Sequence, residues 1–146
     1  MAFLVDTNIL IYRWDPREPR KQKIAENLLG EYVGTDLLYV PHQAIVEFMG
    51  VAPRLRWMGK PVLNQEEIFR EVEELLIQFP ILYPDELTLR TAFRGAATYG
   101  LSWFDAHLWA YAERYGMTEI ISEDFEHGRR YGRVQVRNPF IETHAG

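Results

Sequence analysis

Short apolar runs alternate along this chain with longer stretches in which apolar residues recur every three or four positions, the two periods of buried strands and amphipathic helices. Ala2 to Val5 is the first run and Asp6 ends it; Ile9, Leu10 and Tyr12 then describe a helical turn packed beneath that strand. After a polar stretch with two prolines, Asp15 to Arg20, the residues Ile24, Leu28 and Leu29 define a second helix that Gly34 stops. Leu37 to Val40 reads as the second strand. Pro41 suits the first position of the helix that follows, whose apolar face holds Ala44, Ile45, Phe48 and Met49.

Asn64 and Glu67 have the spacing of a capping box, and Ile68, Val72, Leu75, Leu76 and Phe79 continue it as a strongly amphipathic helix closed by Pro80. Ile81 to Tyr83 gives a short third strand. Asp85 to Tyr99 follows as a helix whose small residues Ala92, Ala96 and Ala97 allow close packing, with Gly100 as its stop. Ser102 caps a last helix, with Phe104, Leu108, Trp109 and Ala112 inward and Gly116 at its end. Glu119 to Ser122 and Arg133 to Val136 are the fourth and fifth strands. The segment from Pro53 to Leu63, with Arg54, Arg56, Trp57, Gly59 and Pro61, follows neither period. It predicts an extended excursion or short helix outside the core, placed as a contact surface.

Alternation of this kind predicts the α/β class: a three-layer α/β/α sandwich around a short, mostly parallel sheet of about five strands, joined by right-handed crossovers. The 146 residues suit one domain spanning 1–146, with no internal repeat or linker.

Composition narrows the chemistry. With 47% hydrophobic and 25% charged residues the chain is ordinarily globular. The absence of cysteine excludes disulfide scaffolds, zinc ribbons, iron-sulfur clusters and thiol nucleophiles together. No run approaches the roughly 20 apolar residues of a membrane span. The apolar N-terminus is broken by Asp6 and Asn8, with no basic residue before it, so neither a signal peptide nor a membrane association is expected, and the expected location is cytoplasmic. A net charge of −5 argues against a nucleic-acid binder driven by bulk charge. Of the 16 basic residues, however, only Lys21, Lys23 and Lys60 are lysines, and the arginines that make up the rest are better suited to bidentate phosphate contacts.

In an open parallel sheet, ligands bind outside the carboxyl ends of the strands. Asp6 follows the first strand and Asp124 the fourth, so the two acids converge if those strands are neighbours. Glu47 lies in Ile45-Val46-Glu47-Phe48-Met49 and Asp105 in Trp103-Phe104-Asp105-Ala106, apolar surroundings with no lysine or arginine nearby in sequence to neutralise either acid. A hard divalent cation is the natural partner of converging carboxylates, and Mg²⁺ commonly shares its shell with substrate phosphate oxygens. Zinc fits less well, because His42, His107, His127 and His144 form no paired-ligand spacing. Each acid also has a plainer reading. Asp6 suits an N-cap, Asp105 a first-turn acid on its own helix dipole, Asp124 a turn, and Glu47 a side chain reaching solvent past apolar neighbours.

Taken in order, Val5-Asp6-Thr7-Asn8-Ile9-Leu10, Glu47 in the helix after strand two, Asp105-Ala106 at a helix start, Ser122-Glu123-Asp124-Phe125 after a strand and the closing Asn138-Pro139-Phe140 resemble the PIN domain, in its VapC-type toxin ribonuclease branch. The excursion around Pro53 to Pro61 departs from that pattern. The resemblance implies that Asp6, Glu47, Asp105 and Asp124 are catalytic and bind one or two Mg²⁺ or Mn²⁺ ions, with Thr7, Asn8 and Ser122 as nearby polar support. It implies a metal-dependent endoribonuclease that cleaves RNA with metal-activated water and leaves 5′ phosphates. It further implies the toxin of a toxin-antitoxin pair, a homodimer, and a small antitoxin protein that covers the acidic pocket.

Two other classes stay open from the residues alone. A phosphotransferase or phosphatase using Asp6 as nucleophile would want a second aspartate where Asn8 stands and a well-placed lysine. A non-catalytic interaction module with the PIN fold would keep the acids but bind no metal.

Overall fold

In the computed structural model, which describes residues 2–141, the elements alternate as their periods predict. The order is β1 (Phe3–Val5), α1 (Thr7–Tyr12), α2 (Pro19–Tyr32), β2 (Leu38–Pro41), α3 (His42–Val51), a 3-10 turn (Ala52–Arg54), β3 (Arg56–Trp57), β4 (Lys60–Pro61), α4 (Gln65–Gln78), β5 (Ile81–Leu82), α5 (Glu86–Tyr99), α6 (Trp103–Tyr115), β6 (Glu119–Ile121), β7 (Arg130–Tyr131) and β8 (Val134–Arg137). No helix among the described residues is long and apolar enough to cross a membrane.

The main sheet has six strands in the order β5-β2-β1-β6-β8-β7, one more than expected. All of its pairings are parallel except the last, where the two-residue β7 folds back antiparallel on β8. So short a strand leaves no alternation in the sequence, which is why it escapes a periodicity reading. The chain lays β2 and β5 to one side of β1, then β6, β8 and β7 to the other. The strand order therefore reverses between β1 and β6.

Side-chain alternation along the strands divides the core into two layers. Val5, Leu38, Val40 and Ile121 face α1 to α4, packing with Ile9, Leu10, Leu29, Phe48 and Leu75. Leu4, Ile120, Val134 and Val136 face the α5–α6 pair, packing with Ala92, Leu108, Trp109 and Tyr111. The expected three-layer sandwich follows from this split. Asn64 and Glu67 form the expected reciprocal capping box, and Asp85 with Thr88 forms a second. Gly100 and Gly116 end their helices in left-handed conformations that side-chain-bearing residues resist.

Several local expectations give way. Pro41 is the last residue of β2 and the cap of α3, not its first helical residue. Phe104 is 67% exposed, because α6 turns Ala106, Leu108, Trp109 and Ala110 to the sheet and its first turn overhangs the edge. Ala97 is exposed, and the close approach between α5 and α6 is made by Gly95 instead. The Pro53 to Leu63 excursion is the 3-10 turn plus a separate β3–β4 hairpin, but its ends are core: Leu55 and Leu63 are 4% and 5% exposed. Within α4, Glu71 is buried and ion-paired with Arg13.

At Gly95 a Cβ would stand 2.5 and 2.6 Å from the buried Trp109 ring. Gly95→Ala should therefore destabilise the protein by about 1–2 kcal/mol despite alanine's better helix propensity, since overpacking outweighs that gain. Urea midpoints of the two proteins measure it, and an unchanged or raised midpoint would show that α5 and α6 separate freely.

Candidate active site

Where a parallel sheet reverses its strand order, the loops leaving two neighbouring strands diverge and open a crevice. Here those strands are β1 and β6, paired with Val5 opposite Ile121. The Asp6 N–H donates to the Ile121 carbonyl at 3.0 Å, which sets Asp6 level with Ser122. Asp6 is the N-cap of α1, as its plain reading had it: one carboxylate oxygen accepts the Thr7 N–H at 2.7 Å. The other accepts the Ser122 hydroxyl at 2.6 Å and the Asn8 amide at 3.4 Å. Ser122 Oγ in turn accepts the Asp124 N–H at 3.0 Å and the Asn8 amide at 3.3 Å, so one hydroxyl fixes both strand ends.

A cleft of about 690 Å³ opens above this edge, lined by Asp6, Gln43, Glu47, Val51, Arg54, Phe104, Asp105, Leu108 and Asp124. All four acids named from the sequence share it. Thr7, Asn8 and Ser122 lie behind them. The Thr7 hydroxyl donates to one Glu47 oxygen at 2.7 Å, and the Gln43 amide donates to the other at 3.0 Å. Asp105, in the first turn of α6, has its N–H capped by Ser102 at 3.3 Å.

Gln43 has no counterpart in the sequence reading. Its amide nitrogen also donates to the Phe104 carbonyl at 3.0 Å, and its oxygen meets His107 Nδ1 at 2.7 Å. One side chain thus ties α3, which carries Glu47, to α6, which carries Asp105. The only signal available beforehand is its place one turn before Glu47 on the same helix face. Glu123, which pairs with Lys21 at 2.8 Å and accepts the Tyr12 hydroxyl, anchors the turn before Asp124.

The cleft is electrostatically unsettled. Asp6 is 6% exposed. Burial pushes its carboxyl from the ordinary 3.8 up to about 7, against the opposing hydrogen bonds from Ser122 and Thr7, with the charges of Asp124 and Glu47 adding to the rise. Asp105 is raised too, first by burial and then by Asp124 and Glu47, while Ser102 lowers it. Among the described residues, none of the four acids is ion-paired with a lysine or arginine.

Whether these residues fit a metal ion is a question of donors and charge. The acids line the cleft without closing on one point: among the described residues no three or more His, Asp or Glu side chains form a ready cation cage. Four like charges have no reason to close until a cation joins them. The donor set is all oxygen, two of the acids are partly or wholly desolvated, and the buried Asn8 Oδ1 beside Asp6 has no hydrogen-bond partner. Hard, oxygen-seeking Mg²⁺ or Mn²⁺ fits such a set.

This fold and this edge define a class. The PIN domain family model matches residues 3–132, and the chain belongs to the PIN domain family. No curated protein sequence matches it at a significant level. Among solved structures it is similar to "Structure of FitAB bound to IR36 DNA fragment", with 22% identity over 99% of this chain and 100% of that chain and a TM-score of 0.68. A toxin-antitoxin complex from Klebsiella pneumoniae matches with 19% identity over 95% and 98% of the two chains and a TM-score of 0.67. VapC20 of Mycobacterium tuberculosis, described as a Sarcin-Ricin loop cleaving toxin, matches with 13% identity over 84% and 92% and a TM-score of 0.64. At these identities the likeness is one of fold.

The raised carboxyl of Asp6 makes a stability prediction. Between pH 4 and 7, roughly the unfolded and folded values, the folded chain keeps a proton that the unfolded chain has lost. Metal-free protein should therefore lose stability as pH climbs through that window, by at most about 4 kcal/mol, with Asp105 contributing in the same direction. Asp6→Asn should flatten much of this loss and melt higher than wild type in EDTA at neutral pH, since asparagine still caps a helix. Melts of both proteins across that range check it. A lower melt for Asp6→Asn at neutral pH would mean that the ionised cap outweighs the burial of its charge.

Proposed function

We infer that the chain is a metal-dependent endoribonuclease, a single PIN-like nuclease domain over 1–146 acting as the toxin of a toxin-antitoxin pair in the cytoplasm. The observation that carries this is the convergence of Asp6, Glu47, Asp105 and Asp124 on one cleft at the reversal of strand order, with no cation of the described protein neutralising them. These four would hold one or two Mg²⁺ or Mn²⁺ ions. Bound there, the ions supply positive charge that lowers the pKa of the attacking water and stabilises the leaving 3′ oxygen. Ser122 and Asn8 orient Asp6, and Thr7 and Gln43 orient Glu47, so the carboxylates are presented in fixed rotamers. Phe104 and Leu108 give the cleft an apolar wall that strengthens charge interactions within it.

The neighbours support the biological setting, one being described as a Sarcin-Ricin loop cleaving toxin and another as a toxin-antitoxin complex. An antitoxin protein would silence the cleft by covering it. Leu87, Leu89, Phe93 and Trp103, left exposed on α5 and the start of α6, support a homodimer. Asp6 as a phosphoryl nucleophile is disfavoured: Asn8 stands where such a site wants a second acid and donates to Asp6, and Lys21 is committed to Glu123.

The test is cleavage of RNA by purified protein. Turnover should require Mg²⁺ or Mn²⁺, stop in EDTA and leave 5′ phosphates. Asp6→Asn, Glu47→Gln, Asp105→Asn and Asp124→Asn should each lower kcat about 100-fold or more, with strongly non-additive pairs because they serve one site. Recovery of 2′,3′-cyclic phosphates, or cleavage undiminished by chelator, would reject the mechanism.

Gln43→Ala should lower kcat about 10-fold and weaken metal affinity by a similar factor, the usual cost of losing a group that orients a ligand. Wild-type metal affinity in that variant would show that Thr7 alone suffices to hold Glu47.

A further inference from the structure

From Phe48 to Gln65 the chain has no aspartate or glutamate, yet it carries Arg54, Arg56 and Lys60, in a protein of net charge −5. All three are exposed, and none is ion-paired among the described residues, although arginines elsewhere, such as Arg90, Arg114, Arg129 and Arg137, have acid partners. Positive charge is thereby concentrated on one projection of an acidic surface.

That projection is firmly built. The 3-10 turn Ala52–Arg54 continues α3, the helix of Glu47, and Leu55 and Leu63 root both ends of the hairpin in the core. The Val62 N–H donates to the Leu55 carbonyl at 2.9 Å, and β3 pairs with β4 through Arg56 opposite Pro61 and Trp57 opposite Lys60. The two-residue loop is Met58-Gly59, both at positive φ, 53° and 78°. Asparagine is the usual first residue of such a loop. Methionine is poorly suited to it, and its side chain is 84% exposed, with Trp57 beside it 47% exposed. A large apolar tip with nothing of the protein packed over it is a contact surface.

The base of the hairpin opens onto the acid cleft, whose lining includes Arg54 together with all four carboxylates. A phosphodiester approaching that cleft is repelled by the acids unless cations at its mouth offset them. Guanidinium and ammonium groups grip backbone phosphates, and an exposed indole stacks on any base. We propose that the β3–β4 hairpin is the RNA-docking element of this protein: Arg54, Arg56 and Lys60 hold phosphates of a single strand and Trp57 stacks a base, leading the strand into the cleft. This rests on the nuclease reading of the cleft.

The experiment is fluorescence anisotropy with a labelled single-stranded RNA of mixed sequence, roughly 12 nucleotides long, in EDTA to prevent turnover and across about 50 to 200 mM salt. Neutralising the three cations together (Arg54→Gln, Arg56→Gln, Lys60→Gln) should weaken binding at least about 10-fold at the lowest salt. The log–log salt slope should become shallower by about 2, since each phosphate contact to a single strand contributes roughly 0.7. Trp57→Ala should weaken binding about 5-fold or more and leave the slope unchanged. The charge-keeping set Arg54→Lys, Arg56→Lys, Lys60→Arg should keep the wild-type slope.

Wild-type affinity and slope in the neutralised protein would overturn the proposal. So would unchanged RNA binding accompanied by loss of the dimer or of a coexpressed partner protein, which would make the hairpin a protein interface. The same wild-type sample is assayed for Mg²⁺- or Mn²⁺-dependent cleavage. Cleavage with hairpin-independent binding rejects the docking element and spares the nuclease reading; hairpin-dependent binding without cleavage does the reverse.

Discussion

The parallel pairing of β1 with β6 is the constraint on which the cleft depends, because it forces two strand ends that are more than a hundred residues apart in sequence to finish side by side. With Val5 opposite Ile121, Asp6 and Ser122 come within a hydrogen bond, and the hydroxyl that reaches Asp6 also receives the Asp124 N–H. Burial of the Asp6 carboxylate follows from the same packing, and three donors compensate it only in part. The remainder shows as a carboxyl that takes up its proton near neutral pH. Thr7, the next residue, carries the constraint outward by holding Glu47, and Gln43 passes it on to α6. Shifting the pairing by one residue would turn the side chains of the shifted strand to the other face of the sheet and part Asp6 from Ser122.

The fold was legible because its signals are local. Apolar runs of strand length, the Asn64 and Glu67 box, and the glycines at positions 100 and 116 each act within a few residues of themselves, so no knowledge of packing is needed to read them. The misreadings share the opposite property. Phe104 is apolar but sits where α6 overhangs the sheet edge, and Leu55 and Leu63 belong to a segment without periodicity yet are buried where the hairpin's ends meet the core. Ala97 suits close packing by its size but is exposed, and the residue that meets the Trp109 ring is Gly95.

The acids were legible as candidates for a different reason: Asp6 and Asp124 directly follow strands, and Glu47 and Asp105 are charged residues among apolar neighbours. What the residues alone left conditional was their meeting, since strand order is not written in any single segment. Gln43 stayed invisible because a glutamine on a helix reads as solvated surface, and only the approach of α3 to α6 gives its amide three partners. The choice between cap and pocket for Asp6 also dissolves in three dimensions. Its two oxygens face different donors, so one carboxylate starts α1 and faces the cleft together.

Around the cleft, charge is separated rather than mixed, and α3 is the axis of separation. Glu47 lies on that helix and Arg54 on its 3-10 extension, seven residues on, and both line the cleft. Helical rise sets them roughly 10–12 Å apart along the axis. At that distance their attraction is about 0.4 kcal/mol at the dielectric of water and about 1.5 kcal/mol at an effective dielectric near 20, no more than the rotamer entropy a long arginine side chain loses on being fixed. No protein cation is therefore fixed against the acids, while Arg54 stands a short reach away at the rim. Had Arg54 fallen one turn after Glu47, an i, i+4 pair would have formed and the cleft would carry an internal counterion. Spacing along one helix is thus enough to hold both signs of charge at a single opening, each available to something other than its neighbour.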